Sequence, residues 1–223
     1  MNTKIQKIDD IKSKRLQVKH KITYEILHAD RKFMDAAWKF SRTEGFPFNT
    51  HLSFIFKTDP VAPEDDVQKV RAVSHHLRMY FQHKNIPSHI LWTRFVAVGS
   101  DIEQVDILVH VPEQHAENFK KNVEKWAFGI QVEPATYEQD RFFAGKPCNI
   151  LEVMLKASSA ETRSKEPDAP YQASAPMKGR RCFSSMKLGI PARRQHRAVN
   201  ASMTLDGTFS VLTINSAPIK AQD

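Results

Sequence analysis

Residues 103–112 read EQVDILVHVP, and apolar side chains alternate along them with mostly polar ones. Alternation with a period of two, built from β-branched residues, is typical of a β-strand. We expect one face of this strand to pack on helices, and that face carries Val105, Ile107, Val109 and Val111. The opposite face carries one leucine and three polar side chains, in the order Gln104, Asp106, Leu108 and His110.

The polar row on this strand has two interpretations. Side chains two apart on one face of a strand are separated by roughly 7 Å along the strand, so Gln104 and Asp106 can converge on one divalent cation. Mg²⁺ or Mn²⁺ would be the ion, because hard cations prefer oxygen ligands, and His51 on another strand is the candidate for a third ligand. In the second interpretation, the row is the solvated face of a sheet that helices cover on one side only.

Composition favours a protein that contacts a polyanion. The chain has 223 residues, with 33 Lys and Arg against 25 Asp and Glu, which gives a formal net charge of +8. Such a balance makes nucleic acid the first partner to consider. The length allows one large domain, or one domain with a tail.

Cysteine usage and hydropathy favour a cytoplasmic protein with no membrane partner. Cys148 and Cys182 have neither CxxC nor zinc-finger spacing, and we expect both to be reduced thiols. No apolar run reaches the roughly 18 residues of a membrane span. The N-terminus lacks the apolar stretch that is found in signal peptides.

The chain around the central strand follows the order β-α-β-β-α-β. The predicted strands cover residues 51–57, 88–98, 102–111 and 129–133, and the predicted helices cover residues 64–83 and 113–128. This is the split βαβ, or ferredoxin-like, order. We therefore predict an α+β fold with one antiparallel sheet and helices on one of its faces.

Four regions are predicted along the chain. They are a basic helical N-terminal segment at 1–45, a core domain at 46–157, a flexible loop at 158–176 and a basic C-terminal segment at 177–223. Within the core, Asn149 is the predicted N-cap of a short helix. The last region is expected to contain a hairpin around Asp206-Gly207. It also holds a run of cations, which consists of Lys178, Arg180, Arg181, Lys187, Arg193, Arg194 and Arg197.

The region from the central strand to Trp126 resembles the core of HUH-type replication initiators of bacterial plasmids and rolling-circle elements, and of relaxase-like proteins. That family reads His-hydrophobic-His, then aliphatic residues, then His-Val-Pro, then a helix with a late tryptophan. The aliphatic residues, His110-Val111-Pro112 and Trp126 all match. A tryptophan-bearing strand precedes the metal strand in the family, and here Trp92 and Arg94 lie on such a strand. The resemblance covers about residues 46–197.

Departures from the family pattern concern its chemistry. Gln104 and Asp106 stand in the places of two metal-binding histidines, and Val153 stands in the place of the tyrosine. The family's reaction is a transesterification in which a divalent metal polarises the scissile phosphate and the tyrosine attacks it. The resemblance therefore implies a DNA-binding relative, carried on a plasmid or mobile element, that no longer nicks DNA. Its expected partner is single-stranded or hairpin DNA.

The expected DNA contacts come from the seven cations of the C-terminal run and from the strand that holds Trp92 and Arg94. Within that run, Gly179, Arg181 and Cys182 match a Gly-Lys-Arg-Cys-Gly segment of certain proteobacterial replication-type proteins. Consecutive cations with no intervening acid are suited to contacts with phosphates.

Two other functions stay open at this point. One is an active metal-dependent nicking enzyme, in which Gln104 and Asp106 bind the metal and a relocated tyrosine, Tyr137 or Tyr171, attacks the phosphate. The other is an RNA-binding module, because RRM domains share this element order and stack bases on aromatic residues of the sheet. A covalent protein–DNA adduct would favour the enzyme. A preference for single-stranded DNA over RNA would favour the inactive relative.

Overall fold

The computed structural model describes residues 22–58, 63–126, 129–185, 188–189 and 191–195. The described residues up to Gly189 belong to one compact unit, and residues 191–195, which are helical, belong to a second. The strands of the first unit are β1 (Ile22–Thr23), β2 (Thr50–Lys57), β3 (Ile90–Val96), β4 (Ile102–Val109), β5 (Gln131–Pro134), β6 (Arg141–Phe143), β7 (Lys146–Cys148), β8 (Met177–Lys178) and β9 (Cys182–Ser184). Its helices are α1 (His28–Thr43), α2 (Pro63–His83), α3 (Ala116–Trp126), α4 (Ile150–Met154) and α5 (Ala160–Lys165), with a 3-10 turn at Glu113–His115.

Five strands form one antiparallel sheet in the order β5-β2-β4-β3-β9. The first four have the arrangement expected of a split βαβ order, and β9 extends the sheet beyond β3. Two further pairs, β1 with β8 and β6 with β7, are also antiparallel. The predicted α+β class and the predicted antiparallel sheet are therefore confirmed.

The first face of the sheet packs on α2 and α3. Val105, Ile107 and Val109 of β4 are fully buried in this core, together with Leu52 and Phe54 of β2. The two helices contribute apolar residues at helical spacing, namely Val70, Val73, Leu77, Tyr80, Phe81, Phe119 and Val123. The period of two in the strand and the helical period in α2 and α3 thus meet in one core, as predicted.

The second face of the sheet is buried as well. Leu91, Phe95 and Leu108 lie on this face and are at most 6% exposed. Helix α1 contacts β9, and the ammonium of Lys156, which follows α4, lies over the ring of Phe95. The prediction of helices on one face only is correct for α2 and α3 and wrong for α1, which buries an apolar stripe of its own: Met34, Ala37, Trp38 and Phe40. The interpretation of this face as solvated is therefore wrong.

The segment before α1 is hydrogen-bonded to residues that follow α4 and β8. The backbone N–H of Ile26 donates to the carbonyl of Ala157 at 2.7 Å, and the hydroxyl of Thr23 donates to the carbonyl of Gly179 at 2.8 Å. Residues 22–45 of the predicted N-terminal segment therefore pack with the rest of the first unit. These contacts are long-range in sequence, which is why local patterns do not reveal them.

The region predicted as a flexible loop, residues 158–176, contains helix α5. The hydroxyl of Ser159 caps this helix by accepting from the backbone N–H of Thr162, whose side chain is fully buried. A short helix of this kind escapes a search for apolar periodicity because it exposes most of its residues. The predicted cap of α4 is confirmed, since Asn149 forms a capping box with Glu152.

Some predictions lie outside the described residues. These are the N-terminal positions 1–21, the hairpin around Asp206-Gly207, and the cations Lys187 and Arg197. Across the part of the chain that is described, no helix combines the length and the apolar character needed to span a membrane.

Candidate functional site

The residues proposed as metal ligands do come together, on the second face of the sheet. His51 lies diagonally opposite Asp106 on the paired strands β2 and β4, and its Nε2 is 3.0 Å from Oδ1 of Asp106. The side-chain amide of Gln104 donates to the same oxygen at 3.1 Å. The other ring nitrogen of His51, Nδ1, is 3.9 Å from a carboxylate oxygen of Glu133 on β5. Asp106 and His51 are both buried.

A lysine completes this group. The ammonium of Lys156 donates to Oε1 of Gln104 at 3.1 Å and lies 4.4 Å from the centre of the Phe95 ring. Burial lowers the pKa of Lys156, and the nearby Asp106 carboxylate opposes that shift. We call His51, Gln104, Asp106 and Lys156 the buried polar network. Its members form one continuous chain of hydrogen bonds from β2 to the end of α4.

The buried polar network does not fit a resident divalent cation. Oδ1 of Asp106 already faces two partners, the ring of His51 and the amide of Gln104. The cation beside these groups is the ammonium of Lys156, which would repel Mg²⁺ or Mn²⁺. Among the residues that the structure describes, no three His, Cys, Asp or Glu side chains are grouped closely enough to hold a metal. A carboxylate whose oxygen is already hydrogen-bonded is a poor ligand for an ion that needs several oxygens.

Neither candidate nucleophile, Tyr137 or Tyr171, is activated for attack on a phosphate. The hydroxyl of Tyr137 lies 2.8 Å from the hydroxyl of Ser41, donates to the carbonyl of Trp38 and accepts from the backbone N–H of Phe48. Burial raises the pKa of Tyr137, which is the opposite of what an activated nucleophile requires. Tyr171 is 41% exposed and its ring stacks under the guanidinium of Arg163. Val153, which the resemblance aligns with the family's tyrosine, lies in α4 as predicted.

His110 has a structural role within the described part of the chain. Its Nδ1 is 2.7 Å from the carbonyl of Pro47, and its ring meets Phe46 edge-on. It lies beyond the end of β4, so it does not join Asp106. The polar row of the central strand is therefore divided between the buried polar network and this separate contact.

A second arrangement lies where α2 meets the β9 edge of the sheet, and we call it the edge cleft. It has a volume of about 180 Å³ and is lined by Val67, Val70, Arg71, Trp92, Arg94, Gly179 and Arg180. The lining residues come from helix α2, from strand β3 and from the segment between β8 and β9. Three segments that are far apart in sequence thus converge on one small concavity.

Aromatic and cationic groups in the edge cleft are available to a ligand. Trp92 is half-buried and stacks against Phe183, with ring centres 5.6 Å apart and planes inclined by 20°. Arg71 and Arg180 are exposed, and within the described residues neither guanidinium forms a hydrogen bond or an ion pair with the protein. Among the residues that the structure describes, none that lines this cleft carries a carboxylate.

Arg94 anchors the wall of the edge cleft from behind. Its guanidinium forms a bidentate, fully buried pair with Glu103, and Nη2 lies 2.9 Å from Oε2. Nη1 donates to the carbonyl of Lys178 at 2.9 Å. Gly179 follows with a φ of +88°, and an added Cβ there would meet Nη1 of Arg94 at 3.4 Å. The pair therefore fixes the backbone that presents Arg180.

The predicted nucleic-acid contacts fall into three groups. Trp92 and Arg180 line the edge cleft and are accessible. Arg94 and Arg181 point inward, where the guanidinium of Arg181 donates to the carbonyls of Thr23 and Ala175, and burial lowers its pKa to about 10. The carbonyl of Lys178 is bound by Arg94, and Arg193 and Arg194 lie in the helical residues of the second unit. The interior position of two arginines could not be read from a run of cations.

Sequence reasoning missed Arg71. It lies one turn after Val67, and both residues line the edge cleft. Residues four apart on a helix are neighbours on its surface, so Arg71 borders the apolar stripe of α2. A cation at the border of a buried stripe was the available signal, but only the tertiary fold brings it to Trp92.

No protein-family model matches the chain, and no curated protein matches it.

Proposed function

We propose that this protein binds single-stranded DNA, including the unpaired loops of DNA hairpins, and does not cut it. The edge cleft carries the proposal, because it combines the aromatic ring of Trp92 with two guanidiniums that have no carboxylate partner among the described residues. Proteins that bind single strands use aromatic rings to stack bases and cations to follow the backbone. The net charge of +8 favours the same class of partner.

The lack of cutting is proposed from the buried polar network. Transesterification needs a Lewis acid and an activated hydroxyl. The network holds a lysine ammonium beside Asp106, and the hydroxyl of the candidate nucleophile Tyr137 hydrogen-bonds to Ser41 and to backbone groups. These features support the absence of cutting. Combined with the sequence resemblance, they lead us to propose a non-nicking relative of HUH-type replication initiators that acts in the cytoplasm on DNA of a plasmid or mobile element.

RNA recognition of the RRM kind has less support. That mode stacks bases on aromatic residues of an open sheet face. The face opposite α2 and α3 is occupied by α1 and Lys156, and its central residues Leu108 and Asp106 are buried. An RNA competitor in the binding assay separates the two possibilities.

Fluorescence anisotropy with a labelled single-stranded oligonucleotide tests binding. The double variant Arg71→Ala/Arg180→Ala should bind more weakly, and the slope of log K against log salt should decrease by about 0.7 for each lost phosphate contact. Arg78→Ala/Lys121→Ala removes two exposed cations from α2 and α3 and should retain the wild-type slope. Equal losses in both double variants would show that charge alone drives binding, and no binding by the wild type would overturn the proposal.

A denaturing gel tests the absence of cutting. Wild-type protein incubated with single-stranded DNA and Mn²⁺ should form neither shortened DNA nor a covalent adduct. The variant Gln104→His/Asp106→His should still form no adduct, because Val153 supplies no hydroxyl. Adding Val153→Tyr is the necessary third change for cutting. An adduct in the wild type that maps to Tyr137 or Tyr171 would establish the active-enzyme alternative.

A further inference from the structure

The edge cleft is too small for a duplex and has the chemical character of a nucleotide site. Its volume of about 180 Å³ is enclosed by α2, β3 and the segment before β9. A paired base is held between its neighbours in the stack, so it cannot enter a recess of this kind unless it is unpaired and turned outward.

The walls of the cleft match the faces of a base. Val67 and the largely buried Val70 contribute apolar side chains to the lining, and Trp92 contributes an aromatic ring. Contact with Phe183 restricts the orientation of the Trp92 ring. A stacking platform that is already held in place loses little side-chain freedom on binding.

The cations of the cleft come from two different segments. Arg71 belongs to α2, and Arg180 to the segment between β8 and β9. Each guanidinium has a planar set of donors that suits a phosphate. A nucleotide within a strand has one phosphate on its 5′ side and another on its 3′ side, so two cations flanking one ring correspond to one nucleotide of a chain.

From this arrangement we infer that the edge cleft is a pocket for one unpaired nucleotide, whose base stacks on Trp92 while its two flanking phosphates contact Arg71 and Arg180. The inference rests on the proposed function and adds the ligand unit of the site. It also gives a physical reason for a preference for single-stranded over duplex DNA. In a duplex the phosphates are accessible, but the paired base is not.

A deoxynucleoside 3′,5′-bisphosphate is the matching probe, because it has one base and both phosphates. The three tryptophan indole N–H signals can be followed by NMR in the isotopically labelled full chain. We expect the Trp92 signal to shift saturably, while those of Trp38 and Trp126 stay in place and report an intact fold. Inorganic phosphate and the unphosphorylated deoxynucleoside should both bind more weakly.

Variants sharpen the same experiment. Trp92→Leu should weaken bisphosphate binding by about 5- to 150-fold, the range that corresponds to loss of one base–aromatic stack, while Trp92→Phe should retain most of the affinity. Arg71→Ala and Arg180→Ala should each weaken it, and Arg78→Ala should not. An oligonucleotide with abasic sites should bind more weakly than one with every base.

The outcomes separate the pocket from the broader function. If the oligonucleotide binds but the bisphosphate leaves the Trp92 signal unmoved, or inorganic phosphate shifts it equally, the pocket is wrong while single-strand binding stands. If the oligonucleotide itself does not bind, the proposed function is wrong. Equal affinity for duplex and single strand would also overturn the pocket, because a paired base cannot reach Trp92.

Discussion

The buried polar network and the edge cleft use similar side chains in opposite ways. In the network, His51, Gln104, Asp106 and Lys156 hydrogen-bond to one another beneath covering elements, and of their buried polar atoms only Nδ1 of His51 is left without a hydrogen-bond partner among the described residues. In the cleft, Arg71 and Arg180 extend into solvent beside Trp92. The residue types of the buried polar network are those of a catalytic centre. The edge cleft corresponds to no known sequence motif.

The difference shows that accessibility, rather than residue type, indicates where a ligand can bind. A charged group with a full set of internal partners gains little from a ligand, because each new contact replaces an existing one. A solvated guanidinium beside an aromatic ring loses only weakly bound water. We therefore expect substitutions in the network to change stability, and substitutions in the cleft to change binding.

The largest effect on stability is expected from the ion pair behind the cleft. Glu103→Ala leaves the buried Arg94 without its counter-charge, which should lower the free energy of unfolding by about 3–5 kcal/mol. Urea denaturation measures the loss, and Glu117→Ala on the exposed side of α3 should stay within about 0.5 kcal/mol of wild type. A loss below about 1 kcal/mol would mean that Arg94 has another way to be satisfied.

A smaller loss is expected in the network. Asp106→Ala removes the acceptor that His51 and Gln104 share, and should cost about 1.5–3 kcal/mol, the range for hydrogen bonds to charged groups. Single-stranded DNA affinity of the folded variant should remain at the wild-type level. The matched control is Asp101→Ala at an exposed turn. If Asp106→Ala abolishes DNA binding while the protein stays folded, the network is itself part of the binding site.

Alanine substitutions at two glycines separate the effect of backbone strain on stability from the effect of the cleft's shape on DNA binding. Gly179 and Gly99 have φ values of +88° and +77°, so an alanine should cost roughly 1–2 kcal/mol at either position. At Gly99 an added Cβ meets no atom within 4 Å, whereas at Gly179 it meets Arg94. Both variants should lose similar stability, and only Gly179→Ala should also lose DNA affinity. Equal DNA affinity of the two variants would mean that the segment before β9 is not part of the DNA-binding site.

The smallest effect is a pH dependence that Lys156 should produce. Because burial lowers its pKa in the folded state, the folded protein binds fewer protons at Lys156 than the unfolded chain does. Stability should therefore rise with pH between that lowered pKa and the ordinary value of 10.5. Over this pH window the urea midpoint of the wild type should rise relative to that of Lys156→Met. Parallel curves would mean that burial does not lower the pKa of Lys156 below that of the unfolded chain.

Local patterns were sufficient for the architecture of the sheet. The alternation along residues 103–112 predicted β4 and its buried valines, and the helical spacing of apolar residues predicted α2 and α3. The capping box at Asn149 is likewise a contact between close neighbours. Such features depend on only a few adjacent residues, so the amino-acid sequence by itself determined them.

The tertiary structure alone decided what each charged residue does. It buried Arg94 and Arg181, which the sequence grouped with exposed cations, and it placed Lys156 beside Asp106 across 50 residues of chain. It also brought Arg71 and Arg180 to Trp92, and it covered the second face with α1. The physical reason is that burial and ion pairing depend on contacts between distant segments, and no local period in the sequence records which segments will meet.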